Sequence, residues 1–267
     1  MNYDSELAFA KELAMEAGRV MRQYFLSEDL ATEWKSDNTP LTIADTTIND
    51  MVIERVKAAY PNYAVIGEES SHDANGEYVW VVDPIDGTMP FSIGIPVSMF
   101  SLALVSTSDG QPVVGVAYDP QLDRLYAAQR SGGATLNELP ITTSKQTGLE
   151  NTYLSVMGSV LVPDKGFAYK SGHCADLARQ AGAKPLNLYS QVYCATKVAS
   201  GEFVGSIFGY GSPWDSAAVA LIVEEAGGIV TDMEGKPRRY DQWGAGCILA
   251  SSPQIHTQLL ELVQASL

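Results

Sequence analysis

The sequence is poor in cysteine, histidine and basic residues, and each shortage argues against a class of protein. Cys174, Cys194 and Cys247 are scattered and form no C-x-x-C pair, so neither a disulfide framework nor a zinc ribbon is indicated. The three histidines are equally isolated. No apolar run approaches the roughly 20 residues of a membrane helix, and the N-terminus lacks the basic-then-apolar layout of a signal peptide. We therefore expect no membrane contact and a cytoplasmic protein.

Negative charge dominates what is present. The chain carries 32 Asp and Glu against 17 Lys and Arg, a formal net charge of −15. Proteins that bind nucleic acid need clustered Lys and Arg to neutralise phosphates, so we expect no nucleic-acid partner. A small anionic substrate can still bind if something neutralises its site, and a divalent cation is the obvious candidate. The length of 267 residues, 46% of them hydrophobic, suits one large domain or two smaller ones.

Hydrophobic periodicity in the first half predicts two helices and a mainly antiparallel sheet. Apolar residues at helical spacing indicate a helix over 5–26 and a second helix that ends before Pro61. Between them, "TEWKSDNTPLTIAD" is a polar stretch with turn residues. Strands are predicted at "YAVIG", "YVWVV", "VSMFSLALV", "PVVGVAYDP" and "RLYAAQ".

The second half alternates between strands and helices, which is typical of an α/β layer. Strands are predicted at "TYLSVM", "FVGSIF", "GIVTDMEG" and "CILAS". Helices are predicted after His173, over 191–200, over "SPWDSAAVALIVEEAGG" and over 253–266. A boundary near residues 138–150 would divide the chain into 1–140 and 141–267, and one core shared by both halves is the alternative.

An unusual pair of acids follows the "YVWVV" strand, which we expect to be buried on both faces. Asp83 lies where the strand is expected to leave the sheet, and Asp86 comes one turn later, after Pro84 has fixed φ. Gly87 permits an unusual backbone angle, and Thr88 is placed to cap a following helical turn. Free N–H groups at such a turn form a seat for an anion. A tight turn that uses both aspartates as local acceptors is the alternative.

Two further places present carboxylates in a similar way. Glu68 and Glu69 follow the strand in "VIGEES", where a solvated loop is the alternative. Asp215 falls in the first turn of a helix with Ser212 at its N-cap and Pro213 as its first residue, and simple helix capping is the alternative.

Convergence of these acids would be unfavourable without cations. Two charges about 4 Å apart repel by roughly 4 kcal/mol at an effective dielectric constant of about 20. All-oxygen ligands without His or Cys suit Mg²⁺, Mn²⁺ or Ca²⁺ rather than zinc. Two such ions can activate a water and stabilise a leaving oxygen, and phosphoryl transfer depends mainly on positioning and charge neutralisation.

The motifs "GEES" at 67–70, "WVVDPIDGT" at 80–88 and "WDSAA…EEAGG" at 214–228 resemble the inositol monophosphatase superfamily, in its order and at its spacing. The resemblance extends upstream to "KSDNTPLTIAD" and covers nearly the whole chain. It implies a layered αβαβα sandwich, a homodimer, and a Mg²⁺-dependent, lithium-sensitive phosphatase that hydrolyses a small phosphate monoester with a metal-activated water. Region 1–140 would carry most metal ligands, and 141–267 would supply Asp215 and the leaving-group pocket.

The resemblance also implies a role for each matching position, with two or three Mg²⁺ ions and Mn²⁺ as an alternative. The first ion would be held by Glu68, Asp83 and the carbonyl of Ile85, and the second by Asp83, Asp86 and Asp215. Glu68 would also touch a third, weaker ion. Thr88 and Glu68 would orient the attacking water, and Asp45 would support Thr88. The N–H groups of Gly87 and Thr88 would bind phosphate, Asp215 would also contact substrate, Lys35 would lie nearby on a flap, and Glu69 is expected beside the ligands.

The leaving-group side departs from the family pattern. Met89 and Pro90 stand before Phe91, where the family reads D-G-T-x-N-F, and "YSQV" at 189–192 stands where it reads G-T-A-A. A glutamate that grips inositol hydroxyls in the family falls at or near Phe208, whose ring cannot accept those hydrogen bonds. Tyr189, Tyr193, Phe208 and Tyr210 are candidates for a ring-binding pocket or for the core. Histidinol phosphate and 3′(2′),5′-bisphosphate nucleotides are therefore alternative substrates. A non-catalytic, metal-binding regulatory protein is the alternative from another class.

Overall fold

The computed structural model describes residues 2–35, 40–158, 160–162 and 167–267. Residues 36–39 of the string "KSDNTPLTIAD" lie outside these residues. The helices of the described chain are α1 (Asp4–Tyr24), α2 (Ile43–Ala59), α3 (Thr88–Ser92), α4 (Ser171–Gln180), α5 (Gln191–Ala199), α6 (Pro213–Glu225) and α7 (Pro253–Ala265).

The strands form two large sheets and two short hairpins. Their bounds are β1 (Thr32–Trp34), β2 (Pro40–Thr42), β3 (Ala64–Gly67), β4 (Tyr78–Asp86), β5 (Met99–Ser106), β6 (Pro112–Asp119), β7 (Arg124–Gln129), β8 (Ala134–Leu136), β9 (Leu139–Pro140), β10 (Tyr153–Met157), β11 (Val160–Val162), β12 (Phe167–Tyr169), β13 (Lys184–Leu186), β14 (Gly205–Gly211), β15 (Ile229–Asp232) and β16 (Gly244–Ala250). One sheet has the order β3-β4-β5-β6-β7-β8-β9 and the other β13-β10-β14-β16-β15. β1 pairs with β2, and β11 with β12.

The elements stack in five layers, as predicted. Helices α1 and α2 cover one face of the seven-stranded sheet, and α5 and α6 cover its other face. The latter two helices also pack on the five-stranded sheet, whose far face is covered by α4 and α7. The fold is therefore an αβαβα sandwich. The seven-stranded sheet is antiparallel from β4 to β9, and β3 alone pairs parallel to its neighbour.

Strand β4 shows how the sequence fills two cores at once. Successive side chains of a strand point to opposite faces. Val79 and Val81 accordingly pack in the core beneath α5 and α6, whereas Trp80 and Val82 pack beneath α1 and α2. Because both faces are covered, the strand is an unbroken apolar run, and it carries the acids that follow it into the interior between the layers.

Three local expectations are wrong. β4 does not leave the sheet at Asp83: it continues to Asp86, with a bulge that accommodates Pro84, which has no N–H for the ladder. Thr88 does not cap α3, because Gly87 is the N-cap and Thr88 is the first helical residue. The polar stretch after α1 forms the β1–β2 pair, in which backbone hydrogen bonds rather than apolar contacts hold the strands together.

The central core draws on both halves of the chain. Met99, Ala117 and Tyr126 from the seven-stranded sheet pack with Val192 and Leu221 from α5 and α6. The division into 1–140 and 141–267 stays a prediction. Among the described residues, no helix is both long and apolar enough to cross a membrane.

Candidate metal centre and active site

Three aspartates from two layers meet at one point. Asp83 and Asp86 come from the bulged end of β4, and Asp215 comes from the first turn of α6. Carboxylate oxygens of the three residues all lie within 4.8 Å of one another. Asp83 and Asp86 are 1% and 5% exposed, which leaves little water to screen their charges. The structure thus brings together three of the acids that the sequence predicted to converge, Asp83, Asp86 and Asp215.

The carboxylate of Asp86 is fixed by the N-terminus of α5. Its Oδ1 accepts the N–H of Gln191 at 3.0 Å, and its Oδ2 accepts the N–H of Val192 at 3.0 Å and the hydroxyl of Ser190. Ser190 is the N-cap of α5 and also accepts the N–H of Tyr193. The sequence analysis assigned no role to these groups, although Ser190 directly before a predicted helix is a typical N-cap signal.

The position of Asp215 follows from helix capping, as predicted. Ser212 is the N-cap of α6, Pro213 is its first residue, and a reciprocal capping box joins Ser212 to Asp215. The N–H of Ser212 donates to Asp215 Oδ2 at 2.9 Å. Capping uses that oxygen, while the carboxylate still lies in the cluster with Asp83 and Asp86. The capping and metal-binding interpretations are therefore compatible.

Burial and mutual repulsion raise the pKa of each carboxyl in this cluster. The pKa of Asp83 lies well above its ordinary value, because of burial first and then the charges of Glu68, Asp86 and Asp215. Burial raises the pKa of Asp86 to about 7, although three hydrogen bonds oppose the rise. Burial and the charge of Asp86 raise the pKa of Asp215 to about 8, against the hydrogen bond from Ser212. Without a cation, the cluster therefore holds protons near neutral pH.

Asp45 and Thr88 form a hydrogen-bonded pair beside the cluster. Thr88 Oγ1 donates to the Ile85 carbonyl at 3.0 Å or to Asp45 Oδ1 at 3.3 Å. The other oxygen of Asp45 accepts the N–H and the hydroxyl of Thr42, at 2.8 and 2.5 Å. Burial raises the pKa of Asp45 to about 7, and the charges of neighbouring acids add to the rise while the Thr42 bonds oppose it. The hydroxyl of Thr88 is thus held with its lone pairs free to accept a hydrogen bond.

Lys35 connects the two glutamates that follow β3. Its Nζ lies 2.9 Å from Glu68 Oε1 and 2.6 Å from Glu69 Oε1. Burial alone lowers the pKa of Lys35, but the hydrogen bonds and charges of the two glutamates outweigh it and raise the pKa. Glu68 lies close enough to raise the pKa of Asp83 and Asp215. Glu68 therefore lies near the three aspartates and is paired with Lys35, but it is not part of the group of carboxylates within 4.8 Å of one another.

Gly87 lies between the cluster and α5. Its φ of 85° is in the left-handed region, and a Cβ there would lie 3.0 Å from Ser190 Cβ and 3.2 Å from Pro90 Cγ. The N–H groups of Gly87 and Thr88 are at the start of α3, where helical N–H groups have no intrahelical acceptor.

The four aromatic residues that were candidates for a pocket or for the core differ in their burial. Phe208 is completely buried in the central core, and Tyr193 packs against that core. Tyr189 and Tyr210 are 60% and 56% exposed. Only the last two are therefore open to solvent.

The donor set fits a hard divalent cation. Carboxylate oxygens are the ligands that Mg²⁺, Mn²⁺ and Ca²⁺ prefer, whereas zinc sites use His and Cys. Buried carboxyls with raised pKa values are groups that a cation stabilises in place of protons. The residues present therefore fit the metal that the sequence analysis expected.

The fold and this acidic centre define an αβαβα sandwich with a candidate site for a divalent cation, and comparison with known proteins identifies its family. The sequence model of the inositol monophosphatase family matches residues 2–267. The chain belongs to that family.

Relatives that carry different names align with this chain over almost its whole length. A protein named putative Nus factor SuhB from Neisseria meningitidis is 36% identical, over 96% of this chain and 97% of the relative. A histidinol-phosphatase from Chlorobaculum parvum is 32% identical, over 92% of both chains. The crystal structure of the extragenic suppressor protein suhB from Bartonella henselae has a TM-score of 0.87 at 27% identity, covering 99% of this chain and all of that one.

Proposed function

We propose that this protein is a Mg²⁺-dependent phosphomonoesterase that hydrolyses a small phosphate monoester by attack of a water molecule. The observation that carries the proposal is the convergence of Asp83, Asp86 and Asp215 within 4.8 Å, beside the hydrogen-bonded pair of Thr88 and Asp45. Buried acids of raised pKa in this arrangement are costly for the fold, and a functional site is a physical reason to keep them.

The proposal gives each residue of the centre a role. Glu68, Asp83 and the carbonyl of Ile85 would hold one ion, and Asp83, Asp86 and Asp215 a second. When bound, Mg²⁺ or Mn²⁺ would neutralise phosphate charge and lower the pKa of a coordinated water. Glu68 would contact a third ion only weakly, because Lys35 already pairs with its carboxylate.

The remaining groups position the water and the phosphate. Thr88 donates its hydroxyl hydrogen bond to Ile85 or Asp45, so its lone pairs would accept a hydrogen bond from the attacking water and orient it. Glu68 would share this task. The N–H groups of Gly87 and Thr88 would donate to phosphate oxygens, with Asp215 and Lys35 at the edge of the substrate.

Phosphate release from p-nitrophenyl phosphate and from inositol 1-phosphate, with Mg²⁺ and with EDTA, tests the proposal. Asp86→Asn should lower kcat at least about a hundredfold, because it removes a charge that the site needs. Asp119→Asn is the matched control: Asp119 is also buried and accepts two backbone N–H groups, from Gln121 and Leu122. Near-normal turnover by Asp86→Asn would overturn the site assignment.

Three classes of phosphate ester are candidate substrates. The name of the family suggests inositol phosphate, and the relative named histidinol-phosphatase suggests histidinol phosphate. A 3′(2′),5′-bisphosphate nucleotide is the third candidate. A panel of these three with Mg²⁺ would rank them by kcat/KM. The proposal includes a cytoplasmic homodimer inhibited by lithium, which light scattering and inhibition assays would check.

A non-catalytic, metal-binding regulatory protein is the rival function. This alternative is supported by relatives named Nus factor SuhB, such as the one from Pasteurella multocida at 32% identity. The intact set of Glu68, Asp83, Asp86, Thr88 and Asp215 favours an enzyme. No Mg²⁺-dependent turnover on a broad panel of phosphate esters, by folded protein, would favour the rival.

A further inference from the structure

A buried arginine with few hydrogen-bond partners lies close to the metal centre. Arg238 is 8% exposed, and the weakly polar thiol of Cys247 is the side chain that its guanidinium contacts; no nitrogen or oxygen of the described residues pairs with its three side-chain nitrogens. Its guanidinium lies over the ring of Tyr240, 4.9 Å from the centroid. Its carbonyl accepts Gln111 Nε2 at 2.7 Å, which anchors the backbone. A guanidinium offers five N–H donors, and leaving them unpaired in the interior is unfavourable.

The guanidinium lies against two glycines. Gly211 and Gly244 lie opposite each other in the β14–β16 pair. A Cβ on Gly211 would meet only Arg238 Nη1 at 3.7 Å and Gln191 Oε1 at 3.8 Å, and a Cβ on Gly244 would come within 3.2 Å of Arg238 Nη2. Gly244 is exposed, so the space beside it opens to solvent. We call the space bounded by Gly211, Gly244, Gln191 and Arg238 the Arg238 cleft.

A second unpaired polar group lines the same cleft. Gln191 is 8% exposed, and its Oε1 has no hydrogen-bond partner within the described part of the chain. Two buried polar side chains with unsatisfied hydrogen-bonding capacity, on α5 and on the segment before β16, thus lie on the same side of Gly211. Buried polar groups are nearly always paired with protein or water, so such a pair indicates a place for a ligand.

The Arg238 cleft adjoins the metal centre on two sides. Gln191 donates its backbone N–H to Asp86 Oδ1 at 3.0 Å. Gly211 directly precedes Ser212, whose N–H binds Asp215. Arg238 also lies close enough to Asp215 to lower the pKa of that carboxyl. A molecule with one group at the metal centre can therefore place a second group against the guanidinium.

We infer that the Arg238 cleft binds a second anionic group, a carboxylate or a phosphate, on the part of the substrate that leaves with the ester oxygen. The inference rests on the proposed phosphomonoesterase function and narrows its substrate class. The planar fork of a guanidinium matches two oxygens of a carboxylate or phosphate at once. Gln191 Oε1 accepts a hydrogen bond from a hydroxyl or an amine next to that anion.

Charge explains why such a cleft needs an arginine. The chain has a net charge of −15, and the cluster beside the cleft consists of carboxylates. A second anionic group that does not contact the metal ions would be repelled by these carboxylates. A desolvated guanidinium supplies the opposite charge where solvent screening is weak.

Two matched substrate pairs test the inference with Mg²⁺ present. 2-Phosphoglycerate and glycerol 2-phosphate differ by a carboxylate, and adenosine 3′,5′-bisphosphate and adenosine 3′-monophosphate differ by a phosphate. The wild-type protein should prefer the member with the second anion in at least one pair, by about tenfold or more in kcat/KM, as expected for hydrogen bonds to a charged group. The pair that shows the preference identifies the anion.

Variants separate the cleft from the metal centre. Arg238→Met should reduce the preference to about twofold or less. It should change kcat/KM for the member of the pair that lacks the second anion by less than about threefold. Arg238→Lys should keep part of the preference, because it retains the charge but not the fork. Arg239→Met is the matched control: Arg239 is 39% exposed and forms an ion pair with Asp241.

Gly211→Ala keeps the arginine and partly fills the cleft. Its Cβ would make ordinary contacts at 3.7 and 3.8 Å, so the fold should tolerate it. It should lower the preference for the second anion, which keeps the inference testable if Arg238→Met does not fold.

The outcomes distinguish this inference from the proposed function. Equal losses on both members of a pair in Arg238→Met would mean that Arg238 acts only as a countercharge to Asp215, and would overturn the inference. Turnover of all four compounds without any preference would also overturn it. If none of the four compounds is turned over, the same ratios are measured as dissociation constants by calorimetry, and turnover of p-nitrophenyl phosphate and inositol 1-phosphate decides the proposed function separately. In that case, the inference is also refuted if the ratio of dissociation constants within a pair is the same for Arg238→Met as for the wild-type protein.

Discussion

Removing divalent cations from this protein should make its stability fall as the pH rises from 5 to 8. The ordinary pKa of an aspartate here is 3.8, and burial and mutual repulsion raise the pKa of Asp86 to about 7 and of Asp215 to about 8. Between these values the folded state binds more protons than the unfolded chain, so by linkage the free energy of unfolding decreases with pH. The contribution of these protonated carboxyls to the free energy of unfolding is fully present below pH 3.8 and is lost by about pH 8.

The magnitude follows from the pKa values. A rise from 3.8 to about 8 in Asp215 corresponds to roughly 5 kcal/mol lost by pH 8, at about 1.4 kcal/mol per pH unit. The effect of Asp86 does not simply add, because part of each rise is the repulsion between the two groups. A total near 5 kcal/mol is a large share of the roughly 5–15 kcal/mol of a typical domain. It should lower Tm by about 10 °C or more.

Thermal unfolding after EDTA treatment, followed from pH 5 to 8 at fixed ionic strength, measures this slope. Asp86→Asn should flatten it, and added Mg²⁺ should raise Tm most at pH 8. Asp176→Asn controls for net charge, because Asp176 is a surface acid whose side chain is 66% exposed. A Tm of the EDTA-treated protein that does not change with pH, or an unchanged slope in Asp86→Asn, would refute the reasoning.

Two further predictions concern groups around the cluster. Thr88→Val should lower kcat by about 10²-fold or more because it removes the hydroxyl held by Asp45, whereas Thr88→Ser should keep most activity; equal kcat values for the two variants would contradict the role of the hydroxyl. Gly67→Ala should lower Tm, since its Cβ would lie 2.3 Å from Asn49 Oδ1 and from the Ser70 carbonyl. Gly148→Ala, with nothing within 4 Å, is its control, and equal Tm values would show that the β3 end can relax.

Much of the fold could be predicted from the sequence because periodicity and capping are local. The unbroken apolar run of β4 indicated a strand covered on both faces, and the structure has it between two helical layers. Ser212, Pro213 and Asp215 predicted the start of α6 to the residue. The β1–β2 pair was missed, because its strands carry no alternating apolar pattern and are held by the backbone.

The acids of the site were predicted, but their supports were not. Asp86 is fixed by Ser190, Gln191 and Val192, more than 100 residues away along the chain. No local pattern links these positions, because the contact depends on how α5 docks against the seven-stranded sheet. A serine directly before the predicted helix over 191–200 is a typical N-cap signal, but such a local signal carries no information on what the helix end faces.

The sequence alone determined which residue types bear the chemistry and which elements carry them. Glu68, Asp83 and Asp215 follow apolar strands or begin a helix, and this much is encoded within a few residues of each. The tertiary structure decided that these ends meet, because only the packing of the layers brings α6 to the end of β4. It also decided that Arg238 is buried beside them with most of its donors unpaired, since burial and pairing are properties of the packed interior and not of the residue.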